Sequence, residues 1–232
     1  MIYVFADRPS RSARLLSKLL GAKRLTSPRK LSRGDVVINW GSSVEWAVGA
    51  KVLQASLKAN KLVELEALSK KGIPTPSFST KPKEGWLGRS LHHSHGRDFL
   101  RPLLFPAFWT KKLDLIKEYR CHVFDFEGDD IRILRWGQRL PKPGAHEWIR
   151  STEAGWRLSY GRALPKGLRS IAKGAVRALG YAWGAVDTGI TSDGCRVVLE
   201  VNSAPGLDEG GQTIQLYAEA IREMIGGRDG RP

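Results

Sequence analysis

The sequence predicts an α/β protein, on three observations. A short apolar run followed by a helical leucine repeat opens the chain. Two further strand pairs read as hairpins, one across Gly128-Asp129-Asp130 and one across Ser192-Asp193-Gly194. Two helices rich in periodic apolar residues follow or separate these strands, each closed by glycine. At 232 residues with 41% apolar side chains, the chain can bury a core.

Ile2 to Ala6 reads as a buried strand, and Leu15, Leu16, Leu19 and Leu20 repeat at helical spacing up to Gly21. Val36-Val37-Ile38 follows the turn signal Ser32-Arg33-Gly34 and predicts a strand ending at Asn39 and Gly41. Asn39-Trp40-Gly41-Ser42 therefore lies at a strand end, where α/β folds place ligand contacts, or else closes the strand as a buried plug. Asn60 is placed to cap a helix carrying Leu62, Leu65 and Leu68. That helix stops at Gly72, and Ile73-Pro74-Thr75-Pro76 continues as an extended linker.

A strand is expected near Trp86 to Leu91, leading into a polar loop with His92, His93 and His95. Glu118, Arg120, His122 and Phe124 alternate with Tyr119, Cys121, Val123 and Asp125, so each set faces one side of a strand. The chain then turns at Gly128 and returns from Ile131 to Trp136. Leu168, Ile171, Ala175 and Leu179 form one stripe of a helix expected to start at Pro165 and to end at Gly180. A last helix runs from about Thr213 to Gly226.

The chemistry concentrates in Gly184-Ala185-Val186-Asp187 and Leu199-Glu200-Val201-Asn202-Ser203-Ala204-Pro205-Gly206. A two-residue loop at Asp193-Gly194 would set Asp187 directly opposite Glu200, with Asn202 on the same face and Val186, Val197, Leu199 and Val201 facing a core. Carboxylates opposed across a hairpin repel unless compensated. A hard cation such as Mg²⁺ compensates them, since two carboxylates and an amide oxygen leave positions for water or phosphate oxygens.

These two segments resemble the metal-binding end of the ATP-grasp superfamily, especially its small carboxylate-amine ligases of RimK-like or bacteriophage type. The similarity extends to Asn60-Lys61-Leu62 through Pro76 and to Glu118-Tyr119-Arg120-Cys121-His122-Val123-Phe124, covering residues 58–225. The resemblance implies two α+β lobes enclosing ATP. It divides the chain into a shortened α/β domain (1–58), a small lobe with a phosphate-covering loop (59–110) and a large lobe with the metal site (111–228). It implies Asp187, Glu200 and Asn202 as Mg²⁺ ligands, and Arg120 and Arg150 as catalytic cations on the transferring phosphoryl group. It further implies Arg89, His95, Gly96 and Glu118 in the ATP site, with Lys111, Lys112 and Leu113 as the adenine hinge. Arg89 stands where the family commonly has lysine, and the loop around Gly96 is less glycine-rich than the family's.

The function implied is amide formation between a carboxylate and an amine through an acyl phosphate, at the expense of ATP. No G-x-x-x-x-G-K-[ST], G-x-S-x-G or H-E-x-x-H motif is present. The three close histidines lack the cysteine partners or i, i+4 spacing of a zinc or nickel site. Lys and Arg number 38 against 23 Asp and Glu, a net charge of +15. Residues 1–60 alone contribute +8, from 11 basic and 3 acidic residues.

That excess invites an anionic partner. It leaves two other readings, a basic nucleic-acid-binding protein without catalysis and a nucleotide-binding pseudoenzyme, and a combined one in which the ligase substrate is carried on nucleic acid or an acidic polypeptide. Two cysteines outside any C-x-x-C pair fit a reducing compartment, and no apolar run reaches the length of a membrane span, so a cytoplasmic location, that of a host if the protein is viral, is expected.

Overall fold

The structure, a computed structural model, describes residues 1–43, 49–54, 57–58, 60–91, 103–126, 129–207 and 211–226. The chain begins with β1 (Ile2–Phe5), α1 (Arg11–Leu20), β2 (Lys23–Leu25), β3 (Val36–Asn39) and β4 (Lys51–Leu53). The four strands pair in parallel in the order β2-β1-β3-β4. Helix α1 forms because Ser10 accepts a hydrogen bond from the Ala13 amide at its start, while Ala13, Leu16 and their neighbours give it an apolar face against Val4 and Ile38.

Asn60 caps α2 (Lys61–Lys70) as the sequence predicts, its Oδ1 accepting from the Leu62 and Val63 amides. A small antiparallel sheet follows, with β5 (Phe78–Ser79), β6 (Trp86–Arg89) and β7 (Phe108–Lys111) in the order β5-β7-β6.

The large antiparallel sheet holds β8 (Leu115–Phe126), β9 (Asp130–Pro141), β10 (Trp156–Tyr160), β11 (Trp183–Thr191) and β12 (Arg196–Asn202), ordered β10-β9-β8-β11-β12. One face packs Cys121, Val123, Val186, Val198 and Val201 beneath α3 (Leu168–Leu179). That helix is capped by Gly167 and starts at Leu168, not at Pro165, whose carbonyl accepts from the Leu168 amide. On the other face, Phe124 and Trp183 join Tyr217 and Ile221 of α4 (Gln212–Gly226), and Trp40 and Ile38 from the parallel sheet, in one core. Trp40 stacks on Trp183 at 6.0 Å and meets the Tyr217 ring edge-on, so it is a core plug at the strand end.

The β11–β12 hairpin corrects one expectation. Thr191 and Cys195 close a three-residue loop, Ser192-Asp193-Gly194, with Gly194 at φ 82, a conformation that favours glycine. The ladder near the loop pairs Thr188 with Val198, and a bulge then restores Asp187 opposite Glu200. Leu199 is the extra residue. Val198, in place of Val197 and Leu199, therefore faces the core with Val186 and Val201.

Candidate active site

Strand register assembles a transverse row on one face of the large sheet. Gly137 of β9 pairs with Arg120 of β8, Arg120 with Asp187 of β11, and Asp187 with Glu200 of β12. The next row contains Arg135, His122, Ala185 and Asn202. Side chains of alternate residues share a face, so Glu118, Arg120 and His122 all project toward it.

Arg120 grips Asp187 through two hydrogen bonds, Nε to Oδ1 at 2.6 Å and Nη2 to Oδ2 at 2.7 Å. Arg139 donates to Asp187 Oδ2 at 3.1 Å and lies 2.5 Å from Glu118 Oε1. Burial alone would raise the Asp187 pKa, but the two guanidiniums outweigh it and hold the carboxyl below its ordinary value. Glu118 has the Arg139 guanidinium beside it, yet burial outweighs that charge and pushes the carboxyl up to about 7. His122 is pushed down to about 3 by burial and the Arg120 charge; its Nδ1 meets the Tyr217 hydroxyl at 3.1 Å.

A second cluster forms where β12, the sheet edge, meets α2. The Lys61 ammonium lies 3.0 Å from both Glu64 Oε2 and Glu200 Oε1. Tyr181 donates its hydroxyl proton to Glu64 Oε1 at 2.9 Å and accepts from the Lys58 amide at 3.1 Å. Burial disfavours the Lys61 charge, yet Glu200 and Glu64 more than restore it and its pKa is raised. Lys61, Leu68, Arg89, Thr110, Leu199 and Glu200 line a narrow pocket between this edge, α2 and the small sheet.

The parallel sheet reaches the same region through Gln54. Its side chain donates to the Ser203 carbonyl and accepts from the Trp183 amide, both at 3.0 Å, and its backbone takes φ 66 to do so. Gly41, at φ 88, approaches so closely that a Cβ there would stand 2.6 Å from the Ala204 Cβ. The segment after Asn202 is thus clamped from the N-terminal side, while Asn202 Oδ1 accepts from the Ala204 amide at 3.0 Å.

No protein-family model matches the sequence, and no curated protein is similar to it in sequence. Solved structures, however, superpose over nearly its whole length. The RimK domain protein ATP-grasp from Sphaerobacter thermophilus DSM 20745 aligns at TM-score 0.64 and 16% identity, covering 97% of this chain and 99% of that one. D-alanyl-alanine synthetase A from Vibrio cholerae O1 biovar eltor str. N16961 aligns at TM-score 0.65 and 13% identity, covering 97% and 98%. Macrocyclase MdnC from Microcystis aeruginosa MRC, bound with precursor peptide MdnA, aligns at TM-score 0.60 and 13% identity, covering 94% and 98%. The chain has the ATP-grasp fold.

Within the ATP-grasp fold, the structure brings together Asp187, Glu200, Arg120 and Glu118, with Asn202 one row away. Arg89 lines the pocket, its Nη1 3.4 Å from Thr110 Oγ1. Arg150 sits to one side, donating to the Leu115 carbonyl and covering the Trp156 ring. Lys111 closes β7 and Lys112 lies over Trp148, both exposed; Thr110 lines the pocket in their stead, and Leu113 is half-buried. His95 and Gly96, with His92 and His93, lie outside the described residues.

Sequence reasoning missed Lys61, Arg139 and Gln54. Lys61 follows a cap and reads as an ordinary first helical residue, and Arg139 lies beyond Trp136, where the hairpin across Gly128-Asp129-Asp130 is expected to end. The signal available for Lys61 is its place directly after Asn60 at the start of α2.

Proposed function

We infer that the protein is an ATP- and Mg²⁺-dependent ligase joining a carboxylate to an amine. The observation that carries this is the Arg120–Asp187–Glu200 row, with Asn202 beside it, at the edge of a pocket lined by Lys61 and Arg89. Such a face concentrates the opposite charges that a polyphosphate and its counter-ion require.

The donor set fits a hard divalent cation. Among the described residues no three His, Cys, Asp or Glu side chains converge; the ligands we assign are two carboxylates, Asp187 and Glu200, completed by the Asn202 amide oxygen. Asp187 is held by Arg120 and Arg139 and Glu200 by Lys61, so a bound cation would share these carboxylates with the three basic side chains. Bound Mg²⁺ would supply charge neutralisation at the phosphate oxygens.

In the proposed reaction a substrate carboxylate oxygen attacks the γ-phosphorus of ATP. The bond from that phosphorus to the β,γ-bridging oxygen breaks, giving ADP and an acyl phosphate. The amine nitrogen then attacks the acyl carbon, phosphate leaves, and the nitrogen loses a proton. Arg120 and Arg150 are assigned to the charge that develops on phosphoryl and acyl oxygens, and planar guanidinium donors suit both. Arg89 and Lys61 are assigned to the ATP phosphates, His95 and Gly96 to the loop over them, and residues 111–113 to the adenine side. The lobes would be 59–110 and 111–228, with residues 1–58 as the domain that precedes them.

Calorimetry with a non-hydrolysable ATP analogue tests the reading. Binding should require Mg²⁺ and should weaken at least tenfold in Glu200→Gln, a part-buried position. Absence of Mg²⁺-dependent binding by the folded protein would overturn it. A screen of amino acids for stimulated ADP release then identifies the acid and the amine.

A further inference from the structure

Residues 8–33 hold nine arginines and lysines and no Asp, Glu, Phe, Tyr or Trp. The fold arranges them as a belt around the free edge of the parallel sheet. Arg11, Arg14 and Lys18 recur at i, i+3 and i+7 along α1, exposed on the side opposite buried Ala13 and Leu16. Lys23 and Arg24 lie on β2, which pairs with β1 on one side and is one of the sheet's two edge strands.

The chain then crosses to the other face of the sheet. Arg29 covers the ring of Tyr3, a residue of the core on that face, while Lys30 and Arg33 are exposed. The belt starts beside the candidate active site: Ser12 of α1 accepts from the Leu207 amide, on the segment that follows Asn202.

The chemistry of this surface narrows its partner. Protein partners are anchored by buried aromatic or apolar residues, and single-stranded nucleic acids by aromatic stacking. The belt holds no aromatic residue, and of the exposed large apolar side chains among the described residues only Met1, whose amine pairs with Asp35, lies near it. Six of the nine cations are arginines, whose planar donors pair with phosphate oxygens. We propose that this belt docks the phosphate backbone of duplex nucleic acid without reading its sequence. The proposal does not depend on the ligase reading, because docking needs neither ATP nor Mg²⁺.

Fluorescence anisotropy of the full chain with a labelled duplex of about 30 base pairs tests it. Affinity should fall with a log–log salt slope of about −5, as counterions leave roughly six neutralised phosphates. The triple variant Arg14→Glu, Lys18→Glu, Lys30→Glu should bind at least tenfold more weakly while its ATP-analogue calorimetry is unchanged. The control Lys70→Glu, Lys71→Glu, Lys166→Glu, which reverses as many exposed charges away from the belt, should bind like the parent. Three results overturn the proposal: no duplex binding at low salt, equal loss in the control, or tighter binding of polyglutamate with the same dependence on the belt variants, which would assign the surface to acidic polypeptides.

Discussion

Arg120 and Asp187 face each other across β8 and β11 and share two parallel hydrogen bonds of 2.6 and 2.7 Å. The pair is nine-tenths buried on the carboxylate side, so each charge depends on the other to remain in the fold. Arg120→Met should lower stability by about 3 kcal/mol in urea unfolding, because Arg139 alone then compensates Asp187. Arg120→Lys should recover only part of that loss, since an ammonium cannot make both bonds. Equal stability of Arg120→Met and the parent would show that the pair contributes nothing to the fold.

Tyr181 ties α2 to the large sheet through one hydroxyl that donates to Glu64 and accepts from Lys58. Tyr181→Phe should cost about 1–2 kcal/mol, leaving the buried Glu64 carboxylate short of a donor. Nucleotide affinity should fall as well, because Glu64 holds Lys61 in the pocket. Thermal unfolding read beside analogue calorimetry checks both effects.

Gly41→Ala combines a left-handed backbone with a Cβ 2.6 Å from Ala204. A destabilisation of about 1–3 kcal/mol is expected. The Mg²⁺ concentration needed for nucleotide binding should rise too, since the displaced segment begins beside Asn202. An unchanged Mg²⁺ requirement would separate that segment from the metal ligands.

His122 and Glu118 give opposite pH dependences. The folded pKa of His122 is about 3 against 6.5 for the ordinary group, so the unfolded state binds more protons between these values and stability falls as pH drops. Glu118 rises to about 7 from 4.5, so the folded state binds more protons and stability falls as pH climbs. Glu64, also raised by burial, adds to the second slope. The two slopes oppose each other between about pH 4.5 and 6.5. Across that window His122→Phe should make the slope of stability against pH more negative than the parent's by about 1 kcal/mol per unit, and Glu118→Gln should make it more positive than the parent's. Denaturant titrations at three pH values distinguish them.

Much of this arrangement is legible in local chemistry. Asn60 marks the start of α2 because its side chain satisfies otherwise unpaired helical amides, and Gly21 and Gly180 end α1 and α3 in left-handed conformations. Asp187 meets Glu200 as the hairpin rule predicts, although a three-residue loop and a bulge together take the place of the expected two-residue turn. Short strands such as β2, β4 and β5 carry no local signal, since pairing with neighbours creates them. Arg139 was hidden because its partners, Glu118 and Asp187, come from strands 21 and 48 positions away in the chain, a proximity that only sheet register reveals.

The bulge at Leu199 has an effect beyond register. A regular strand shows alternate residues to one side, but at the bulge Leu199 and Glu200, consecutive in the chain, both line the pocket, with Val201 after them at the sheet edge. Neighbouring positions thus present grease and charge to one visitor, as a flat aromatic group trailing an ionic tail would need. Deleting Leu199 would straighten the strand and keep Asp187 opposite Glu200, so the charge half of that surface can be separated from its greasy half by removing a single residue.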